Sequence, residues 1–190
     1  MKRLLYTFIV VALASCSPAK SNDRTLTMPH RVEAWGHQFT LPAGWEPMTM
    51  PESDVTLEKL RTDPKALIPL GLYGRADAQA VFTITVRPAF SDGTLSNWLG
   101  WFCDQEDINP DAIETTQLSS GLRAAVCTAT QVQSEMTVRL HMACLEDGGN
   151  CYLLMALAPA DQWDKAEADC RKLIADWKLL HPAGSQVAAR

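Results

Sequence analysis

The side chains with most chemistry to offer in this chain of 190 residues are its six cysteines. Five lie in the body of the chain: Cys103, Cys127, Cys144, Cys151 and Cys170. Asp147-Gly148 is a two-residue sequence of the kind that closes tight hairpins. A turn centred there sets Cys144 directly opposite Cys151 on adjacent strands, within disulfide reach. The expected state is a Cys144–Cys151 bridge, and the alternative is two buried free thiols. Cys103 falls at the edge of an apolar helical stripe, Cys127 on a strand and Cys170 inside a second stripe. A second pair, Cys103–Cys127, and its rival, Cys103–Cys170, both fit the spacing. Five is odd, so at least one thiol stays unpaired.

Other chemistries find less support. His141, Cys144 and Cys151 offer three ligands of a type zinc accepts. An odd spacing along a strand sends His141 and Cys144 to opposite faces, so no metal site is expected. The sequence has no Gly-x-Ser-x-Gly elbow, no His-Glu-x-x-His and no glycine-rich phosphate loop. No catalytic residue is assigned and no cofactor is expected. Asp104, Glu106, Asp107, Asp111 and Glu114 are close in sequence, and a solvated helix end explains them better than a cation site. Trp101 falls about 120° from the centre of the stripe that holds Trp98. Trp101 with Asp104, Glu106 and Asp107 is therefore the candidate partner-binding surface. The alternative for Trp101 is cover by another helix or by residues 47–65.

Cys16 belongs to a different context. Lys2 and Arg3 precede an apolar run from Leu4 to Ala14, which is shorter than the roughly 20 residues a bilayer span requires. Leu13-Ala14-Ser15-Cys16 resembles the lipobox of bacterial lipoproteins. That resemblance implies cleavage before Cys16 and acylation of its thiol, so that the lipid carries the membrane attachment. An ordinary signal peptide cut near Ala14 or Ser15 is the alternative. Ser17, where an Asp usually signals inner-membrane retention, implies by the same resemblance the outer membrane and its periplasmic face. Exported chains meet an oxidising compartment, which favours the disulfides above. Loss of residues 1–15 moves the formal charge from −5 to −7. A chain this acidic is a poor ligand for nucleic acid, and a protein partner is expected to be basic.

The elements that must position these residues follow from periodicity. Residues 16–30 read as a flexible tether, 31–181 as one domain and 182–190 as a disordered tail. Phe39 and Leu41 alternate with polar neighbours in a strand that Pro42-Ala43-Gly44 stops. Residues 47–65 are ambiguous, with Ser53 a candidate cap. Pro69 and Gly71 mark an edge or bulged strand. From Val81 to Arg87, Phe82, Ile84 and Val86 face one way and Thr83, Thr85 and Arg87 the other. Thr94 caps a helix whose stripe is Leu95, Trp98, Leu99 and Phe102. Strands follow near 113–118, 122–131, 135–145 and 150–158, the last apolar throughout and so expected at the sheet centre. Asp161 is the expected cap of a closing helix that carries Trp163, Ala166, Cys170, Leu173, Ile174 and Trp177 on one face. A short strand near Trp177–Leu180 completes the domain. Strands, helix, four strands and helix make an α+β fold.

Phe39-Thr40-Leu41-Pro42-Ala43-Gly44-Trp45, the strand at 81–86, the helix at 95–106, the four-strand run and Tyr152-Leu153-Leu154 before the closing helix together resemble the PsbP/DcrB-like superfamily. The resemblance covers about residues 36–180. It implies a central antiparallel sheet of about six strands flanked by helices, usually without catalysis, in a binding, assembly or chaperone-like module. Nothing about the cysteines is carried over from it. The expectation is a non-enzymatic lipoprotein that binds a protein partner in the envelope. A type VI secretion immunity protein is one specific version, pointed to by compartment, size and acidity. An envelope hydrolase and a small-ligand carrier are the rivals.

Overall fold

The computed structural model describes residues 30–34, 36–50, 55, 58–59, 63, 66–89, 93–133 and 136–180. The signal segment, Cys16, most of the tether, Ser53 and the tail after Pro182 lie outside the described residues.

The domain opens with β1 (His30–Ala34), one residue before the expected boundary, and β2 (His37–Leu41). These pair antiparallel, and His37, Phe39 and Leu41 turn inward. Gly44 then takes a φ of 83°, which a side chain would resist. The turn closes through Trp45 N–H donating to the Pro42 carbonyl at 3.2 Å. It delivers Trp45 into β3 (Trp45–Pro47), fully buried. β4 (Ile68–Arg75) carries the bulge that Pro69 and Gly71 announce, between those two residues. A single 3-10 turn at Ala76–Ala78 leads to β5 (Ala80–Pro88).

The first helix, α1 (Leu95–Gln105), starts where expected, and the Thr94 hydroxyl accepts from Asn97 N–H at 3.2 Å. After it come β6 (Asn109–Pro110), β7 (Glu114–Gln117), β8 (Arg123–Gln133), β9 (Met136–Asp147) and β10 (Asn150–Pro159). The closing helix α2 runs Trp163–Ala175, and β11 (Lys178–Leu179) returns to β2. Asp161 does not cap α2; Gln162 holds the N-cap position without a side-chain bond. The Gln162 N–H is bonded to the Pro159 carbonyl, so a tight turn occupies Asp161 and the helix starts after it.

The principal sheet has eight antiparallel strands, in the order β3-β4-β5-β10-β9-β8-β6, with β7 also on β8. A second sheet, β1-β2-β11, stands beside it. The expected six strands fall short because β3 and β6, of three and two residues, are too brief to show a period. β10 is central, between β5 and β9, as its unbroken apolar run requires.

The sheet separates two cores, one under each helix. Tyr152, Leu154, Ala156 and Ala158 of β10 face α2 with Phe39, Trp45, Phe82, Trp163 and Trp177. Cys151, Leu153, Met155 and Leu157 face α1 with Trp98, Leu99 and Phe102. Each fully buried large side chain contributes on the order of 1.5–3 kcal/mol through the area it withdraws from water.

Candidate functional site

Four of the five domain cysteines lie on the α1 side of the sheet: Cys103 on α1, Cys127 on β8, Cys144 on β9 and Cys151 on β10. Cys170 lies on the other side, under α2. The sheet between them removes Cys103–Cys170 as a pairing. The Cys103 and Cys127 side chains are neighbours and interact. That interaction, then burial, pushes the Cys127 thiol upward in pKa. Burial first, then the Asp169 charge, pushes Cys170 up to about 12.

Cys144 and Cys151 also meet, with Sγ atoms 3.2 Å apart, but not as directly opposed residues. Cys144 faces Leu153 and Cys151 faces Glu146, so the two thiols touch on a diagonal. The reason is the turn. Asp147 pairs with Asn150, and the two-residue loop is Gly148-Gly149, with φ of 57° and 78°. Both central positions of such a turn need positive φ, which glycine accepts without Cβ strain and Asp resists. The Gly-Gly dipeptide therefore takes the loop from Asp147-Gly148. All five domain cysteines are present as thiols.

Around the diagonal pair stand two features that the sequence did not single out. Arg87 of β5 lies directly opposite Cys151 across the ladder and is 5% exposed. Burial lowers its pKa, while Cys151 and Asp63 act in the opposite sense. The alternation of β5 put Arg87 on this face; only the strand register put it beside Cys151. The second feature is a shallow pocket between the start of α1 and β10, lined among others by Thr94, Leu95, Trp98, Glu146 and Cys151. Its interior is about 30 Å³, room for about a water molecule, where small-ligand sites run to roughly 300–1,000 Å³.

The proposed partner surface is split in depth. Trp98 is buried and stacks on Phe102 at 5.8 Å, as its stripe position requires. Trp101 is half-buried and packs against the core under α1, so it is less free than its angle on the helix suggested. Asp104 and Asp107 are exposed and Glu106 is half-buried. Ile108 N–H reaches the Cys103 carbonyl at 2.9 Å, closing the helix around Asp107 at a φ of 54°. Glycine is the usual residue there. No basic residue occupies the last turn of α1. Its acids therefore stand at the negative end of the helix dipole, where carboxylates are disfavoured. Asp111, further on, faces Arg139 at 3.8 Å.

His141 lies on the α2 face of β9 and Cys144 on the α1 face, as their odd spacing dictates. Burial, with Arg171 nearby, lowers His141 to about 4. His37 is fully buried between Phe39 and Trp177, at ring distances of 6.0 and 5.6 Å. Neither of its ring nitrogens has a hydrogen-bond partner among the described residues, and burial lowers its pKa to about 4. Among the described residues no three His, Cys, Asp or Glu side chains are grouped to hold a metal ion. No helix among them is long and apolar enough to cross a membrane.

No protein-family model matches the chain, and no curated protein does. Similar architectures exist among solved structures. The solution structure of cyanobacterial PsbP (CyanoP) from Synechocystis sp. PCC 6803 superimposes with a TM-score of 0.58 at 10% identity, over 85% of this chain and 98% of that one. The crystal structure of LpqN, involved in cell envelope biogenesis of Mycobacterium tuberculosis, gives 0.54 at 13% identity, over 80% and 90%. At such identities the likeness is one of fold: the chain has an α+β fold like that of these two proteins.

Proposed function

We propose that this chain is a lipoprotein held on the periplasmic face of the outer membrane by acylated Cys16, whose PsbP-like domain binds a basic protein partner and catalyses nothing. The observation that carries the binding surface is the acidic end of α1. Asp104 and Asp107 stand where the helix dipole disfavours them, and Asp107 holds a backbone conformation suited to glycine. Exposed carboxylates grouped at one helix end fit a surface used by a basic partner, with Trp101 as its apolar anchor and Glu106 at its edge. LpqN, which shares the fold, is described as involved in cell envelope biogenesis, in keeping with an envelope role. Neutralisation of an incoming toxin, as a type VI secretion immunity protein would do, is a specific form of this reading.

The test is affinity capture from envelope extract with the wild-type chain and with an Asp104→Asn/Asp107→Gly variant. Glycine suits the backbone at 107, so the variant should fold while losing two charges. The expected result is a basic partner retained by the wild type, lost from the variant, and associating more slowly as salt rises. A partner held equally by both proteins would place the interface elsewhere.

A further inference from the structure

We propose that Cys151 is the reactive thiol of a Cys144–Cys151 dithiol that exchanges with small external disulfides presented at the mouth of the shallow pocket between α1 and β10, with Cys144 as the resolving thiol. Three observations converge. The two Sγ atoms are 3.2 Å apart across the β9–β10 ladder, a separation at which a small side-chain rotation closes a bond. Cys151 lines the pocket and is 4% exposed, while Cys144 does not line it and is 0% exposed. Cys151 also has a buried cation for a neighbour: Arg87, 5% exposed, is its partner in the β5–β10 register, and Thr94 and Leu95, at the start of α1, line the same pocket. Cys144 is the deeper of the two. Its hydrogen bond with Cys151, then burial, then the Cys151 and Glu146 charges hold its thiol in the protonated form. This division suits an attacking thiol and a buried resolving one. The proposal stands whether or not Cys16 is acylated.

The reaction balances as ordinary thiol–disulfide exchange. The Cys151 thiolate attacks one sulfur of a disulfide RSSR, the S–S bond breaks, and one RS⁻ leaves and takes a proton. A mixed disulfide now joins Cys151 to R. Cys144 gives its proton to solvent and attacks the Cys151 sulfur, and the second RS⁻ leaves and is protonated. The protein loses two electrons and two protons, and RSSR gains them as two RSH.

The experiment uses the full chain, purified, reduced and freed of reductant. Pulsed iodoacetamide labelling of the native wild type, read by peptide mapping, should mark Cys151 at least about tenfold faster than Cys103, Cys127, Cys144 or Cys170. Cystamine, a small cationic disulfide suited to the Glu146 carboxylate at the pocket, is the exchange probe. Wild type should yield the internal 144–151 disulfide. Cys144→Ser should accumulate a mixed disulfide at Cys151, and Cys151→Ser should give none at Cys144. Circular dichroism establishes that each serine variant is folded; if either is not, the wild-type labelling order alone decides. Labelling of Cys151 no faster than Cys170, or a cysteamine adduct on Cys144 of the Cys151→Ser protein, overturns the proposal.

Discussion

The indole N–H of Trp45 donates to the Asp169 carboxylate at 3.1 Å, joining residues 124 positions apart. Trp45 ends the Phe-x-Leu-Pro-x-Gly-Trp entry, and Asp169 lies on α2, so the motif's last residue fastens the closing helix to the sheet. The same carboxylate oxygen accepts from Arg75 Nη1 at 2.7 Å, and Arg75 also holds Asp77 through two of its nitrogens. Asp169 is about three-quarters buried in this arrangement, so its two donors have little water to fall back on.

We therefore predict that Asp169→Ala destabilises the fold by about 1–3 kcal/mol, because it orphans both donors at once. Arg75→Gln should cost less, since the indole keeps its acceptor. Urea unfolding of both single variants and the double variant measures the coupling. Strict additivity would mean that the clamp contributes nothing beyond its separate contacts.

Oxidised chain should yield peptides linked 144–151 and 103–127, with Cys170 alkylated as the lone free thiol. Both prospective pairs lie on one face of the sheet, and Cys170 lies on the other. The 103–127 bridge closes the larger loop and should contribute more, within the ~2–4 kcal/mol typical of disulfides. Non-reducing peptide mapping of periplasmic material decides. Any peptide linking Cys170 to Cys103 contradicts the fold.

Stability should fall as pH drops from about 6.5 to about 4. His37 and His141 are held neutral in the folded state, with pKa lowered to about 4 from 6.5. Between those values the unfolded chain binds more protons, so acid favours unfolding; above 6.5 neither state is protonated and the effect vanishes. The penalty is on the order of 3 kcal/mol for each histidine at the acid end. His37→Phe fits between Phe39 and Trp177 and should flatten the curve. Denaturant midpoints from pH 4 to 8 report it, and an unchanged slope in the variant would remove His37 as a cause.

Trp98→Ala should cost roughly 3–5 kcal/mol as a core truncation. Trp101→Ala, at a half-buried site, should cost less stability, while weakening the captured partner by more than about 1 kcal/mol. Thermal melts and titration of both variants separate the two roles. A variant of Trp101 that unfolds, with binding intact in its folded fraction, would assign this residue to the core.

Wild-type chain should fractionate with membranes, and mass spectrometry of its mature N-terminus should show acylated Cys16. Cys16→Ala should remain unprocessed or become soluble. A free, unmodified N-terminus on the mature wild type would refute the anchor.

What the sequence determined was local. The alternation along 81–87, the 3.6-residue stripe from Leu95 to Phe102 and the Thr94 cap depend on neighbours a few residues away, and each lies where its period puts it. The unbroken apolar run at 152–158 likewise fixed β10 as a strand covered on both faces. The opposite faces of His141 and Cys144 follow from the same geometry. Tertiary structure decided everything that depends on register or depth. Choosing Gly148-Gly149 over Asp147-Gly148 as the loop made the Cys144–Cys151 contact diagonal. Pairing of β5 with β10 set Arg87 beside Cys151, though 64 residues separate them in sequence. Interposing the sheet chose Cys127 over Cys170 as the neighbour of Cys103. Packing against the core drew Trp101 halfway in. A side chain's direction is written in its own segment's period, but its partner is chosen by which strands pair and by the minimum of buried, unsatisfied surface, a sum over the whole chain that no short window contains.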